Sequence, residues 1–137
     1  MKCLGMDLGT KTLGLAVSDK LGIIANPYKT IRYENVESLV EEVLEIITSE
    51  HIEVLVLGYP KNMNNSCGFA VERTNSFKEL LEKKTNLPIE LIDERLSTVE
   101  AENMLISSNV SRKDRKEVID SVAASIILDT YLRRIER

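Results

Sequence analysis

Three places in this chain set carboxylates among apolar neighbours. Asp7 closes the apolar run of "CLGMDLGTKTLGLAVS" (residues 3–18), immediately before a glycine turn. Asp93 and Glu94 follow "LPIELI", and Asp120 lies inside "EVIDSVAASIIL", with Val118, Ile119, Val122, Ala123, Ile126 and Ile127 around it. An unpartnered charge in apolar surroundings is costly, so each acid needs a reason to be there. Separately, Asp7 can cap its turn and Asp120 can pair with a cation such as Arg95. Taken together, they suggest a shared site. Converging carboxylates raise one another's pKa unless a cation joins them. A set of oxygen ligands favours Mg²⁺ or Mn²⁺, whereas zinc would want Cys or His, and the sole histidine, His51, falls at an expected helix end. Two such ions about 3.5–4 Å apart activate water and stabilise a leaving oxygen in phosphodiester hydrolysis. Asp7, Asp93, Glu94 and Asp120 are therefore the candidate metal ligands.

Cations supply the second half of such a site. Lys11 sits in the glycine turn, Lys61 and Arg95 follow two strand ends, and "RKDRK" gathers Arg112, Lys113, Arg115 and Lys116 around Asp114. These residues, with the polar loop Asn62–Gly68, are candidate phosphate contacts; the plainer reading of "RKDRK" is a solvated loop and helix start. The net charge of −4 speaks against nucleic-acid binding by bulk electrostatics and leaves that task to local patches. With 2 Phe, 4 Tyr and no Trp, the chain offers no aromatic platform for reading bases.

The elements that must carry these groups follow from periodicity. Residues 2–8 and 12–18 read as strands, and a turn at "SDKLG" leads into a third extended stretch through Ile31, an antiparallel meander. Apolar residues at Val36, Leu39, Val40, Val43, Leu44 and Ile47 predict a helix. "IEVLVLGYP" (Ile52–Pro60) reads as a strand buried on both faces, as in a parallel sheet. A helix over Phe69–Lys84, a fifth strand over Leu87–Asp93, a capping box at Ser97–Glu100 and a final helix from about Lys116 to Ile135 complete the chain. Right-handed crossovers make strands four and five parallel to strand one, so the acids at strand ends should share one rim. The small residues Ser121, Ala123, Ala124 and Ser125 would let the last helix approach the sheet closely and bring Asp120 toward that rim.

A length of 137 residues suits one α/β domain spanning 1–137: a five-stranded mixed sheet, three strands antiparallel and two parallel, with helices packed on it. No apolar run is long enough to cross a bilayer, and the Met1-Lys2 start lacks the layout of a signal peptide. A cytoplasmic protein without membrane contact is expected, with Cys3 and Cys67 as free thiols.

The four segments "MDLGTKTLGLAVSD", "LGYPKNMNNSCG", "DERLSTVEAE" and "IDSVAASIILDTYL", in order over almost the whole chain, together resemble the YqgF family. Its members are RNase H-like proteins described as Holliday junction resolvases and as nucleases that process the 5′ end of pre-16S rRNA. The resemblance implies a ribonuclease H-like fold, a divalent metal, and acidic catalytic residues on the first strand, near the end of the fifth and on the last helix. Those roles map onto Asp7, Glu94 with Asp93 as its rival, and Asp120. The substrate implied is structured RNA or branched DNA, taken by a monomer or a homodimer. Two departures stand out: Thr12 occupies a position where the family often has arginine, and Asn64 or Asn65 one where it often has aspartate. The first segment also resembles the phosphate motif of actin-like ATPases and sugar kinases, but those enzymes close two such domains around ATP and this chain lacks a second copy. A nucleic-acid-binding maturation factor without catalysis is the remaining alternative; it would be indifferent to loss of Asp7.

Overall fold

Five strands and three helices arise from the residues that the computed structural model describes, which are 1–60, 68–93, 103 and 112–135, the last stretch with side chains from 118 onward. In chain order they are β1 (Cys3–Leu8), β2 (Thr12–Ser18), β3 (Ala25–Arg32), α1 (Val36–Ser49), β4 (Val54–Tyr59), α2 (Gly68–Lys84), β5 (Ile89–Asp93) and α3 (Arg112–Ile135). The sheet order is β3-β2-β1-β4-β5. β1–β2 and β2–β3 pair antiparallel, while β1–β4 and β4–β5 pair parallel, as the periodicity predicts. Lys61–Cys67, the Ser97–Glu100 capping box, Glu94 and Arg95 lie outside the described residues.

One boundary differs in a way that matters. The last helix begins at Arg112 rather than near Lys116, so the whole of "RKDRK" forms its first turns rather than a loop leading into the helix start. Lys and Arg are good helix formers, which favours the extension, although the helix dipole opposes cations at this end.

Strand alternation sends two sets of side chains to opposite faces. Leu4, Met6, Leu8, Leu13, Leu15, Ile31, Leu55 and Leu57 face α1 and α2, meeting Leu39, Val40, Val43 and Ile46 from the first and Phe77 and Leu81 from the second. Asn35 starts α1 by accepting from the Ser38 amide at 2.8 Å, which satisfies one of the helix's orphan donors. The other face carries Cys3, Ala16, Val54, Val56 and Ile92 against Ala124, Ile127, Leu128 and Leu132 of α3.

The second face is built for close approach. A Cβ on Gly5 would lie 2.7 Å from Leu128 Cβ and 2.9 Å from the Ala124 carbonyl oxygen. A Cβ on Gly14 would run into the backbone carbonyl of Asp120. Bare glycine backbone at these two strand positions is what lets α3 lie across β1, β2 and β3.

Candidate active site

Asp7 and Asp120 lie on the α3 side of the sheet, at and over one ladder pair of β1 and β2. Asp7 has the strand parity of Cys3 and Gly5, which face α3, and its partner across the ladder is Gly14. The Asp120 backbone sits directly over Gly14, and its Cβ would be 2.9 Å from one placed there. Both acids are partly buried. Thr12, two residues before Gly14 and on the same face, donates its hydroxyl to Asp120 Oδ2 at 2.9 Å. That bond occupies one carboxylate oxygen and orients the group, leaving Oδ1 to other partners.

The glycine turn between β1 and β2 is held from three sides. The Gly9 amide donates to the Thr12 carbonyl at 2.7 Å, and the Tyr33 amide donates to the Lys11 carbonyl at 3.0 Å. The Tyr33 hydroxyl donates to the Gly9 carbonyl at 2.6 Å. Burial raises the Tyr33 pKa, with the Arg73 charge acting weakly the other way, so the phenol stays a proton donor. The turn that follows Asp7 is therefore a braced structure, and Lys11 stands exposed on it.

The parallel strands do not bring Asp93 to the same place. Its ladder partner is Tyr59, whereas the preceding pair, Gly58 and Ile92, has Ile92 packed in the α3 core. Alternation therefore turns Asp93 to the opposite sheet face from Asp7, so sharing a rim does not amount to sharing a site. Glu94, Lys61 and Arg95 are outside the described residues, and Arg112, Lys113, Arg115 and Lys116 are described as helical backbone alone. Cys3 is a buried free thiol whose pKa is raised by desolvation, consistent with a core role.

Three residues of this region escaped the reading of the sequence as chemistry: Thr12, Gly14 and Arg32. Thr12 stood out there only as a departure from a family motif. Gly14 carried a signal, since a glycine inside a strand marks a close backbone approach. Arg32 is the ladder partner of Thr12, which places an exposed cation one strand outward on the same face. Nothing local distinguishes it from any other arginine.

As a donor set, the Asp7 and Asp120 carboxylates suit a hard divalent cation that keeps several waters. No group of three or more His, Cys, Asp or Glu arranged to hold a metal occurs among the described residues. The pair fits such an ion as an incomplete set of ligands.

Residues 1–134 match the model of a family described as RuvX: Holliday junction resolvase. The chain belongs to the RuvX family. This is the YqgF family expected from the four segments. A Geobacillus sp. (strain WCH70) protein named "Putative pre-16S rRNA nuclease" is 50% identical over 134 residues, covering 96% of this chain and 97% of that one. A Bacillus subtilis (strain 168) relative of the same name is 46% identical over 134 residues, with 96% and 97% covered. Among solved structures, Thermus thermophilus RuvC in complex with a Holliday junction substrate superimposes with a TM-score of 0.63 at 15% identity, covering 99% of this chain and 96% of that one. The Fowlpox virus resolvase bound to junction DNA gives a TM-score of 0.59 at 14% identity, with 100% of each chain covered. This RuvX-family chain thus has the RNase H-like fold of those resolvases, and its family is one of nucleic-acid nucleases. The family implies dependence on a divalent metal in general terms. No helix among the described residues is long and apolar enough to cross a membrane.

Proposed function

We propose that this RuvX-family chain is a Mg²⁺- or Mn²⁺-dependent nuclease of the cytoplasm that trims the 5′ end of pre-16S rRNA, with Asp7, Glu94 and Asp120 as its catalytic acids. The observation that supports the reading is the placement of Asp7 beside Gly14, and of the Asp120 backbone over it, on one sheet face. Two partly buried acids drawn together at the expense of side-chain packing make chemical sense as ligands.

In this mechanism Asp7 and Asp120 would hold the ion. The Thr12 hydroxyl fixes the Asp120 carboxylate so that Oδ1 is available to it. When bound, the ion supplies an activated water and stabilises the leaving oxygen of the phosphodiester. β1 fixes Asp7 between the buried residues Met6 and Leu8, which limits reorganisation of the ligand. Of Asp93 and Glu94, the second is the acid that the family resemblance of "DERLSTVEAE" implies, and we assign it as the third acid for that reason. Lys11, Lys61, Arg95 and the Arg112–Lys116 cluster hold the phosphates of the substrate without reading its sequence.

Pre-rRNA is preferred as substrate because relatives up to 50% identical carry that activity in their names. The family's description favours a second reading, a Holliday junction resolvase. Symmetric cutting of a junction needs a two-fold dimer, whereas trimming one RNA end is within reach of a monomer. The test is cleavage of matched pre-16S 5′-end RNA and four-way DNA junction by the parent and by Asp7→Asn in Mn²⁺ or Mg²⁺, with light scattering on the same samples. RNA cutting by the parent that Asp7→Asn abolishes is the expected result. Cutting of the junction alone by a dimer moves the reading to resolution, and metal-independent cutting sinks it.

A further inference from the structure

We infer that the cleft beside the β1–β2 turn is a track for the sugar-phosphate backbone of the substrate strand, with Arg32 and Lys11 as its phosphate contacts. This rests on the nuclease reading of the neighbouring acids and extends it to a residue that neither the motifs nor the site chemistry singles out. The cleft has a volume of about 630 Å³ and is lined by Thr10, Lys11, Arg32, Tyr33 and Glu34.

Its relation to the acids follows from register. Arg32 is the ladder partner of Thr12, and ladder partners project to the same face. Thr12 uses that face to reach Asp120, so Arg32 stands next in line, on the edge strand β3. The path from Asp120 through Thr12 to Arg32 crosses one strand spacing, about 4.8 Å. A phosphodiester at the acids therefore has its chain neighbours within reach of the cleft.

The charges also suit a polyanion. Among the described residues, neither Lys11 nor Arg32 forms an ion pair with a carboxylate, and Glu34 is the one acid lining the cleft. In a protein of net charge −4, two cations in one groove, one of them the ladder partner of Thr12, form a local positive field that attracts phosphate. The wall that carries them is braced by the three hydrogen bonds of the glycine turn, so little ordering is required on binding. The Arg32 guanidinium can take a phosphate bidentately. Tyr33 spends its hydroxyl on Gly9, which leaves Lys11 and Arg32 as the cleft's cationic donors to a phosphate. Such a groove holds a backbone of any sequence.

The test uses the full chain without divalent metal and a fluorescein-labelled single-stranded RNA, with affinity measured across a KCl series. Variants are Arg32→Gln, Lys11→Gln, the double variant, and Lys83→Gln in the last turn of α2 as a control; thermal melts confirm that each is folded. The slope of log affinity against log salt should flatten by about 0.7 for each lost contact, hence by about 1.4 in the double variant. The control should keep the parent slope. A parent that fails to bind the RNA, an Arg32→Gln slope equal to the parent's, or equal flattening in the control overturns the track. Adenosine 5′-monophosphate binding as tightly as the oligonucleotide, and lost in Arg32→Gln, overturns it in favour of a mononucleotide pocket. A parallel Mn²⁺ cleavage assay separates the two readings. Cleavage with an unchanged Arg32→Gln slope removes the track alone, and flattening without cleavage removes the nuclease reading while the strand contact stands.

Discussion

The two faces of the sheet differ in what fills them. The face toward α1 and α2 is packed with leucine, isoleucine, methionine and phenylalanine, and each such buried side chain contributes about 1.5–3 kcal/mol. The face toward α3 replaces part of that volume with Gly5, Gly14 and Ala16 beneath Ala123 and Ala124. Small residues bury less apolar area, so this face gives up stabilisation for proximity. In return Asp120 sits on Gly14, next to Asp7. One face holds the domain together, and the other sets the distance between its acids.

Exchanging the consequences of mutation between the faces is the sharpest way to break this contrast. Asp7→Asn should lower Mn²⁺-dependent cleavage by orders of magnitude while melting without metal is unchanged or slightly raised, since one of two neighbouring negative charges is gone. Phe77→Ala, at a fully buried position on the other face, should lose about 3–5 kcal/mol of stability while the folded fraction cuts at the parent rate. A destabilised Asp7→Asn that still cuts normally would reverse the assignment of the faces.

Gly14→Ala comes next. The added methyl must displace the Asp120 backbone, and overpacking of this kind costs about 1–3 kcal/mol. Denaturant melts and a cleavage assay should show losses in both stability and activity. Gly5→Ala pushes on Leu128 and Ala124 instead, beyond the Asp120 turn, and should lose comparable stability but less activity.

Thr12→Val removes the donor to Asp120 without changing shape much. It should destabilise by about 1 kcal/mol. Mn²⁺ affinity by calorimetry should fall about tenfold, and Thr12→Ser should restore it. An unchanged affinity in Thr12→Val would reduce the hydrogen bond to a packing detail.

The smallest effect lies far from either face's centre. Asp19, at the end of the β2 hairpin, accepts from the Ile24 and Ile23 amides, which hold its carboxyl below the ordinary aspartate range, the Ile24 bond first. A pKa depressed on folding gives stability that is complete above the unfolded-state value and lost as pH falls through the folded one. Melting temperatures of the parent and Asp19→Asn should therefore differ slightly at neutral pH and converge in acid, with cleavage unaffected throughout.

Much of this was legible in the residues themselves. The helical spacing of Leu39, Val40 and Val43, the continuous apolar run of β4, and the meander turns are local patterns, and the strands and helices appear where those patterns lie. Asp7 and Asp120 were legible as anomalies, because a carboxylate among apolar neighbours in one strand or one helix needs no knowledge of the rest of the chain. The helical start at Arg112 was misread because charge density resembles a loop when helix propensity is not weighed against it.

What the sequence determined by itself was therefore the set of elements, the family and the suspect acids, all of which depend on neighbours within a few residues or on motifs in order. Which acids come together was decided by tertiary structure alone. Asp93 and Asp7 both end strands of one sheet, yet the register of β5 on β4 turns Asp93 to the other face. Thr12 becomes a partner of Asp120, and Arg32 a ladder partner of Thr12, across 108 residues of chain in the first case and a strand pairing in the second. Side-chain direction in a sheet alternates at every residue, so a shift of one position in register exchanges the faces. That register is set by packing between segments distant in sequence, and no local pattern encodes it.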